Sequence, residues 1–134
     1  MTESLFSLQK AVWINPKDAA SHNNLSNVLR EIGKLEESEA SCRQAIALNP
    51  RYVSAHYNLG ITLQELGRFE EAELSYRQAI KLNPGDAKAH LNLGNILKEL
   101  GRLKEAELSY RQAVALKPAY TEAHNNLGVI LQEL

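Results

Sequence analysis

Apolar residues recur along this chain at helical spacing, in short runs that restart at a fixed interval. From about Ser54 to Leu66, the residues Ala55, Leu59, Leu63 and Leu66 fall on one stripe, the rhythm of an amphipathic helix. Gly67 ends that run, because glycine readily takes the left-handed angles that close helices. A second stripe, Phe69, Ala72, Tyr76, Ala79 and Ile80, runs from Phe69 to about Leu82. Pro84 then stops it, since the residue before a proline avoids helical angles. Sustained alternation of the kind that marks strands is missing from the sequence. The pattern predicts an all-α fold made of paired helices.

The pairs repeat. Written from Ala19, Val53, Ala87 and Thr121, the chain aligns with itself at a step of 34 residues, and units 53–86 and 87–120 agree at 21 of 34 positions. Pro16, Pro50, Pro84 and Pro118 form one column, as do Gly33, Gly67 and Gly101, and His22, His56, His90 and His124. Self-similarity on this scale is the mark of stacked supersecondary units that share one continuous core. The expected organisation is a single array over 1–134. Residues 1–18 match the second helix of a preceding repeat, 19–52, 53–86 and 87–120 are whole repeats, and 121–134 supply the first helix of a truncated one. Small residues (Gly60, Ala72, Ala79) stand where paired helices must approach closely.

A period of 34 with Leu59, Gly60, Leu63, Gly67, Ala72, Tyr76, Ala79 and Pro84 in these positions resembles the tetratricopeptide repeat family. The resemblance implies a right-handed superhelical solenoid of antiparallel helix pairs. Two departures stand out. Histidine occupies the place of the family's first large aromatic in every unit. Repeat 19–52 carries Ser26, Ser38 and Cys42 where its neighbours have Gly, Ala and Tyr.

Such solenoids bind along the face built by their first helices. In repeat 53–86 the polar stripe of that helix holds Ser54, Tyr57, Asn58, Ile61, Gln64 and Glu65. One column of it is invariant within the chain: Asn24, Asn58, Asn92 and Asn126. Asparagine is a mediocre helix former, and its carboxamide offers both a donor and an acceptor. A ladder of such groups is expected to hold the backbone of an extended polypeptide; the alternative is that the asparagines order the stack by bonding to neighbouring repeats. Asn27, Tyr57, Lys88 and Asn95 complete the expected peptide-binding set, with Leu91 as a further apolar contact. The columns Arg30, Gln64, Lys98, Gln132 and Glu31, Glu65, Glu99, Glu133 read as a solvated face.

The run AHxNLGxxLxELG also resembles the repeat arm of O-linked N-acetylglucosamine transferases, in which an asparagine ladder holds substrate polypeptides. That resemblance implies binding without transfer, because nothing here matches a catalytic domain. Repeat proteins that clamp C-terminal carboxylates offer a second comparison: Asn27, Asn58 and Lys88 fit three of the five clamp places. Asn23 and Asn92 stand where cations are expected, which argues against a tight clamp.

Composition narrows the classes further. Charged residues make up 23% of the 134, mixed in sign, with a formal net charge of −1; that is no footprint of a nucleic-acid binder. No apolar run approaches the roughly 18 residues of a membrane span, and the start of the chain lacks a signal-peptide pattern. One cysteine, Cys42, excludes an internal disulfide and favours a reducing, cytoplasmic setting. It falls in the core column of Tyr76 and Tyr110, so a buried thiol is expected rather than a nucleophile. The histidine column invites a metal, but helices roughly 8–10 Å apart or more cannot bring these side chains to within about 2 Å of one ion. Glu70, Glu71, Glu73, Glu105 and Glu107 read as solvated charge. No phosphate loop, HExxH or GxSxG is present, and no cofactor or enzymatic activity is expected.

The partner expected is a polypeptide. A homo-oligomer is the competing expectation: Leu127, Ile130, Leu131 and Leu134 read as exposed, and Trp13, in an outward column, as an exposed aromatic or an end-to-end contact. The substrate arm of a truncated glycosyltransferase is a third reading.

Overall fold

The structure is a computed structural model that describes residues 2–134, with side chains described from Leu5 onward. Among the described residues every regular element is an α-helix. They are α1 (Thr2–Ile14), α2 (Ala19–Glu31), α3 (Leu35–Leu48), α4 (Val53–Glu65), α5 (Phe69–Leu82), α6 (Ala87–Glu99), α7 (Leu103–Leu116) and α8 (Thr121–Glu133). None is long and apolar enough to cross a membrane. The all-helical class read from the sequence is the class observed. The chain falls into two compact units, 1–68 and 69–134.

In the first unit α2 packs on α1, α3 and α4, and α3 packs on α4. The sequence sets each boundary. Asp18 caps α2, accepting from the Ala20 amide at 3.2 Å and the Ser21 hydroxyl at 2.8 Å, which satisfies donors a helix start leaves unpaired. Gly33 closes α2 at φ 84°, where the amides of Gly33 and Lys34 return to the carbonyls of Arg30 and Leu29. Leu25, Leu29, Cys42 and Ala45 are buried together with the hydroxyls of Ser26 and Ser38. Ser26 Oγ donates to the Asn23 carbonyl at 2.6 Å, and Ser38 Oγ to the Ser26 carbonyl at 2.8 Å, with Thr62 Oγ1 3.1 Å away. The polar departures of this repeat are therefore satisfied inside it. The Arg68 guanidinium grips both oxygens of Glu39, at 2.7 and 3.1 Å, while Arg43 holds the same carboxylate from its own helix.

In the second unit α6 packs on α5 and α7, and α7 packs on α8. Asp86 caps α6 through the amides of Lys88 and Ala89, and Gly101 (φ 77°) closes it. Leu93, Leu97, Ala106, Tyr110, Ala113 and Ile130 are buried. Gly94 faces Tyr110 so closely that a Cβ there would stand 2.6 Å from a ring carbon.

Two expectations are corrected. Ile130 is fully buried and Leu127 half-buried, because α8 turns that stripe towards α7; only Leu131 and Leu134 of the four are exposed. Glu73 is not solvated: it is buried between Arg77 (2.9 Å) and Arg102 (2.7 Å). Glu105, which is exposed, bonds to Arg102 as well. Trp13 does face outward, at 84% exposure.

Candidate functional site

The proposed contact residues sit on the first helices of the repeats, α2 and α4 in one unit, α6 and α8 in the other. The invariant asparagines are not equivalent there. Asn24 is exposed, with its carboxamide free of any hydrogen bond among the described residues. Asn58 is 6% exposed, and its Nδ2 donates to Asn23 Oδ1 at 2.8 Å. Asn23 in turn donates to Ser54 Oγ at 3.1 Å. A carboxamide relay thus ties α2 to α4.

The second unit contains a related relay at different columns. Asn92, Asn95 and Asn126 are half-buried. Asn95 Oδ1 accepts from Asn126 Nδ2 at 3.0 Å and from the Tyr110 hydroxyl at 2.6 Å. Burial, followed by the nearby carboxylates Glu122, Glu99 and Glu133, pushes the Tyr110 hydroxyl up to about 12. It therefore stays protonated and remains the donor. Asn58 and Asn126 each spend one N–H on a neighbouring helix, and each keeps its amide oxygen without a bond to the described residues.

Asn27 stands in the Asn95 column but lacks this partner. Cys42 replaces the tyrosine, and Asn27 Oδ1 is buried with nothing to bond; Arg30 Nη1, one turn on, is likewise buried and unpaired. Tyr57 is half-buried, Lys88 is exposed on the first turn of α6, and Leu91 is buried at 1% exposure. Leu91 is thus core, not groove. The acidic column Glu31, Glu65, Glu99 and Glu133 is exposed throughout. Asn23, Ser54 and Arg30 join the polar surroundings without having been singled out as contacts; the Asn23–Asn24 doublet was the available signal for the first.

The histidines find their partners in the turns. Nε2 of His22, His56, His90 and His124 lies 2.8, 2.8, 3.0 and 2.8 Å from the carbonyl oxygen of Pro16, Pro50, Pro84 and Pro118. A carbonyl only accepts, so each ring donates from Nε2. The two columns are one device: the residue that replaces the aromatic staples the helix to the turn before it. Cys42 is fully buried, and burial pushes its thiol up, against the opposing influence of the neighbouring Ser26 and Thr62 and of the charges of Arg30 and Arg43.

Among solved structures, MamA aligns with a TM-score of 0.92 at 21% identity, over 96% of this chain and 75% of that one. The first TPR of Spaghetti (RPAP3), bound to the HSP90 peptide SRMEEVD, aligns with a TM-score of 0.84 at 26% identity, over 86% and 91%. The Arabidopsis OM64 TPR domain gives 0.83 at 23%, over 87% and 96%. No curated protein sequence matches significantly. Family models described as tetratricopeptide repeat match residues 17–85 and 57–121. With the helix pairs, their glycine turns and the 34-residue step all in place, the chain belongs to the tetratricopeptide repeat family.

Proposed function

We propose that the protein is a non-catalytic interaction scaffold whose first-helix faces hold an extended polypeptide. The observation that carries the reading is the Spaghetti domain, a relative of this fold at 26% identity with a peptide on it. Asn24, Asn92 and Asn126 offer carboxamides to a peptide backbone, flanked by Tyr57, Asn95 and Lys88. Asn27 and Arg30 border this face on α2, with Asn27 Oδ1 and Arg30 Nη1 buried beneath it. Asn58 acts through Asn23, fixing the spacing of α2 and α4. The likeness of this asparagine column to that of the O-linked N-acetylglucosamine transferase arm supports the same mode, a grip indifferent to side chains.

The test is selection of dodecapeptides from a random display library, followed by calorimetry with single variants. Asn24→Ala should fold normally, and both it and Asn92→Ala should bind the selected peptide severalfold more weakly. Asn58→Ala should lose stability instead, about 1–3 kcal/mol, because it leaves the Asn23 oxygen buried without a donor. Undiminished binding by the first two variants would sink the ladder. A second reading, self-association through α1 and α8, draws on the exposure of Phe6, Trp13 and Leu131. Sedimentation over a concentration series decides it, an invariant monomer mass being the negative result.

A further inference from the structure

The second unit carries a cavity of about 410 Å³ between α5, α6 and α7, away from the asparagine column. Its apolar wall is Ile80, Leu93 and Leu108, and its polar rim includes Arg77, Lys81 and His90, with no carboxylate among the lining residues. The size falls in the range of ligand pockets, roughly 300–1,000 Å³. The three basic residues are not alike. Arg77 is paired with Glu73 at 2.9 Å and lies 3.9 Å from Glu105. His90 is tied to Pro84. Lys81 is exposed and makes no ion pair among the described residues. Its column reads Trp13, Ala47, Lys81, Ala115, so the repeat architecture does not require a charge there. Leu108 is 67% exposed, a large apolar side chain at the edge of a depression with nothing packed over it.

We infer that this groove docks an acidic-apolar segment of a partner polypeptide, one large aliphatic or aromatic side chain lodging on Ile80, Leu93 and Leu108 while an adjacent carboxylate meets Lys81. Charge decides the sign of the ligand: the unpaired lysine and the absence of lining acids favour an anion and repel a basic segment. Shape decides its kind. The depression is largely open, whereas small-molecule sites enclose most of their ligand. Its apolar wall runs out to exposed Leu108, which suits a chain passing across the surface. The site is formed by second helices and one edge of α6, so it is separate from the carboxamide face and usable at the same time.

The probe is the acetylated, amidated peptide Ser-Gly-Leu-Phe-Glu-Glu-Gly-Ser, titrated into the ¹⁵N-labelled full chain. The expected result is perturbation of the amides of Ile80, Lys81 and Leu108. Affinity should fall at least fivefold for the Gln-Gln counterpart of the peptide and for Lys81→Glu, with Lys81→Arg retaining it. Leu108→Ser should weaken both peptides alike. Lys81 and Leu108 are exposed, so these variants keep the fold. Equal affinity for the Gln-Gln peptide, or an unchanged Lys81→Glu, overturns the inference. So do shifts confined to Asn92 and Asn95, or saturation of the groove by decanoate with no peptide response.

Discussion

Gly94 and Tyr110 occupy one another's space. A Cβ added at Gly94 would stand 2.6 and 2.8 Å from two carbons of the Tyr110 ring, and that ring is fully buried with its hydroxyl fixed on Asn95. Two effects compete in Gly94→Ala. Alanine gains about 1 kcal/mol of helix propensity over glycine, while overpacking a rigid core costs about 1–3 kcal/mol. The ring cannot swing aside without losing its hydrogen bond, so overpacking wins. Gly94→Ala should destabilise by about 1–2 kcal/mol in urea titration. Gly128, in the same column, has nothing within 4 Å of its added Cβ. Gly128→Ala should stabilise by up to about 1 kcal/mol. If both glycines respond with the same sign, the steric argument is wrong.

The same pair of columns is filled differently in the first unit. Ser26 stands in the place of Gly94, and Cys42 in the place of Tyr110. A smaller residue on α3 admits a larger one on α2, but the exchange leaves Asn27 Oδ1 without the hydroxyl that Asn95 receives. Cys42→Tyr alone should therefore destabilise the first unit by about 1–3 kcal/mol through collision with Ser26. Adding Ser26→Gly opens the space and lets the new hydroxyl reach Asn27. A double-mutant cycle should show favourable coupling of about 1–3 kcal/mol. Simple additivity would mean that the two columns do not pack against each other in the first unit as they do in the second.

These relationships separate what a sequence carries from what it does not. The helices were legible because their stops are local: Gly67 sits at φ 77° after α4, and α5 runs from Phe69 to Leu82, the span its apolar stripe predicts. The side chains of the candidate face were less so. Asn58 lies on the polar stripe of an isolated α4, yet Asn23 on α2 seals it from solvent. Leu91 disappears into the core in the same manner, and Glu73 is drawn inward by Arg77 and Arg102. Periodicity reports the polarity of one helix. It is silent on which neighbour leans against it, and that decides whether an asparagine meets a ligand or another asparagine.

The Glu39 carboxylate couples the first unit to pH. Burial is the largest single influence and raises its pKa, but the hydrogen bonds and charges of Arg68 and Arg43 together outweigh it, so the carboxyl sits below its ordinary value. A folded value below the unfolded one means the group stabilises the protein above the unfolded value of about 4.3, and that this contribution fades as pH falls through the folded value. Glu39→Gln should lower Tm at pH 7, and the gap from the parent should narrow steadily below about pH 4.3. A gap that stays constant down to pH 3 would show that Arg68 and Arg43 contribute nothing through charge.

Cys42 reports on the same unit from inside. Its side chain is fully buried, and burial holds the thiol above its ordinary range despite Ser26, Thr62 and two arginines. Because the thiolate is the reacting species, two barriers act together: little thiolate forms at pH 8, and no reagent reaches it in the closed state. Alkylation by iodoacetamide should be slower in the native protein than in 6 M urea by roughly a hundredfold or more, and should proceed only through opening of α2 from α3. The rate should therefore rise with denaturant along the unfolding curve of this unit. Labelling at comparable speed with and without urea would mean that the α2–α3 seam breathes on the timescale of the reagent, and that the buried serine network does not hold it shut.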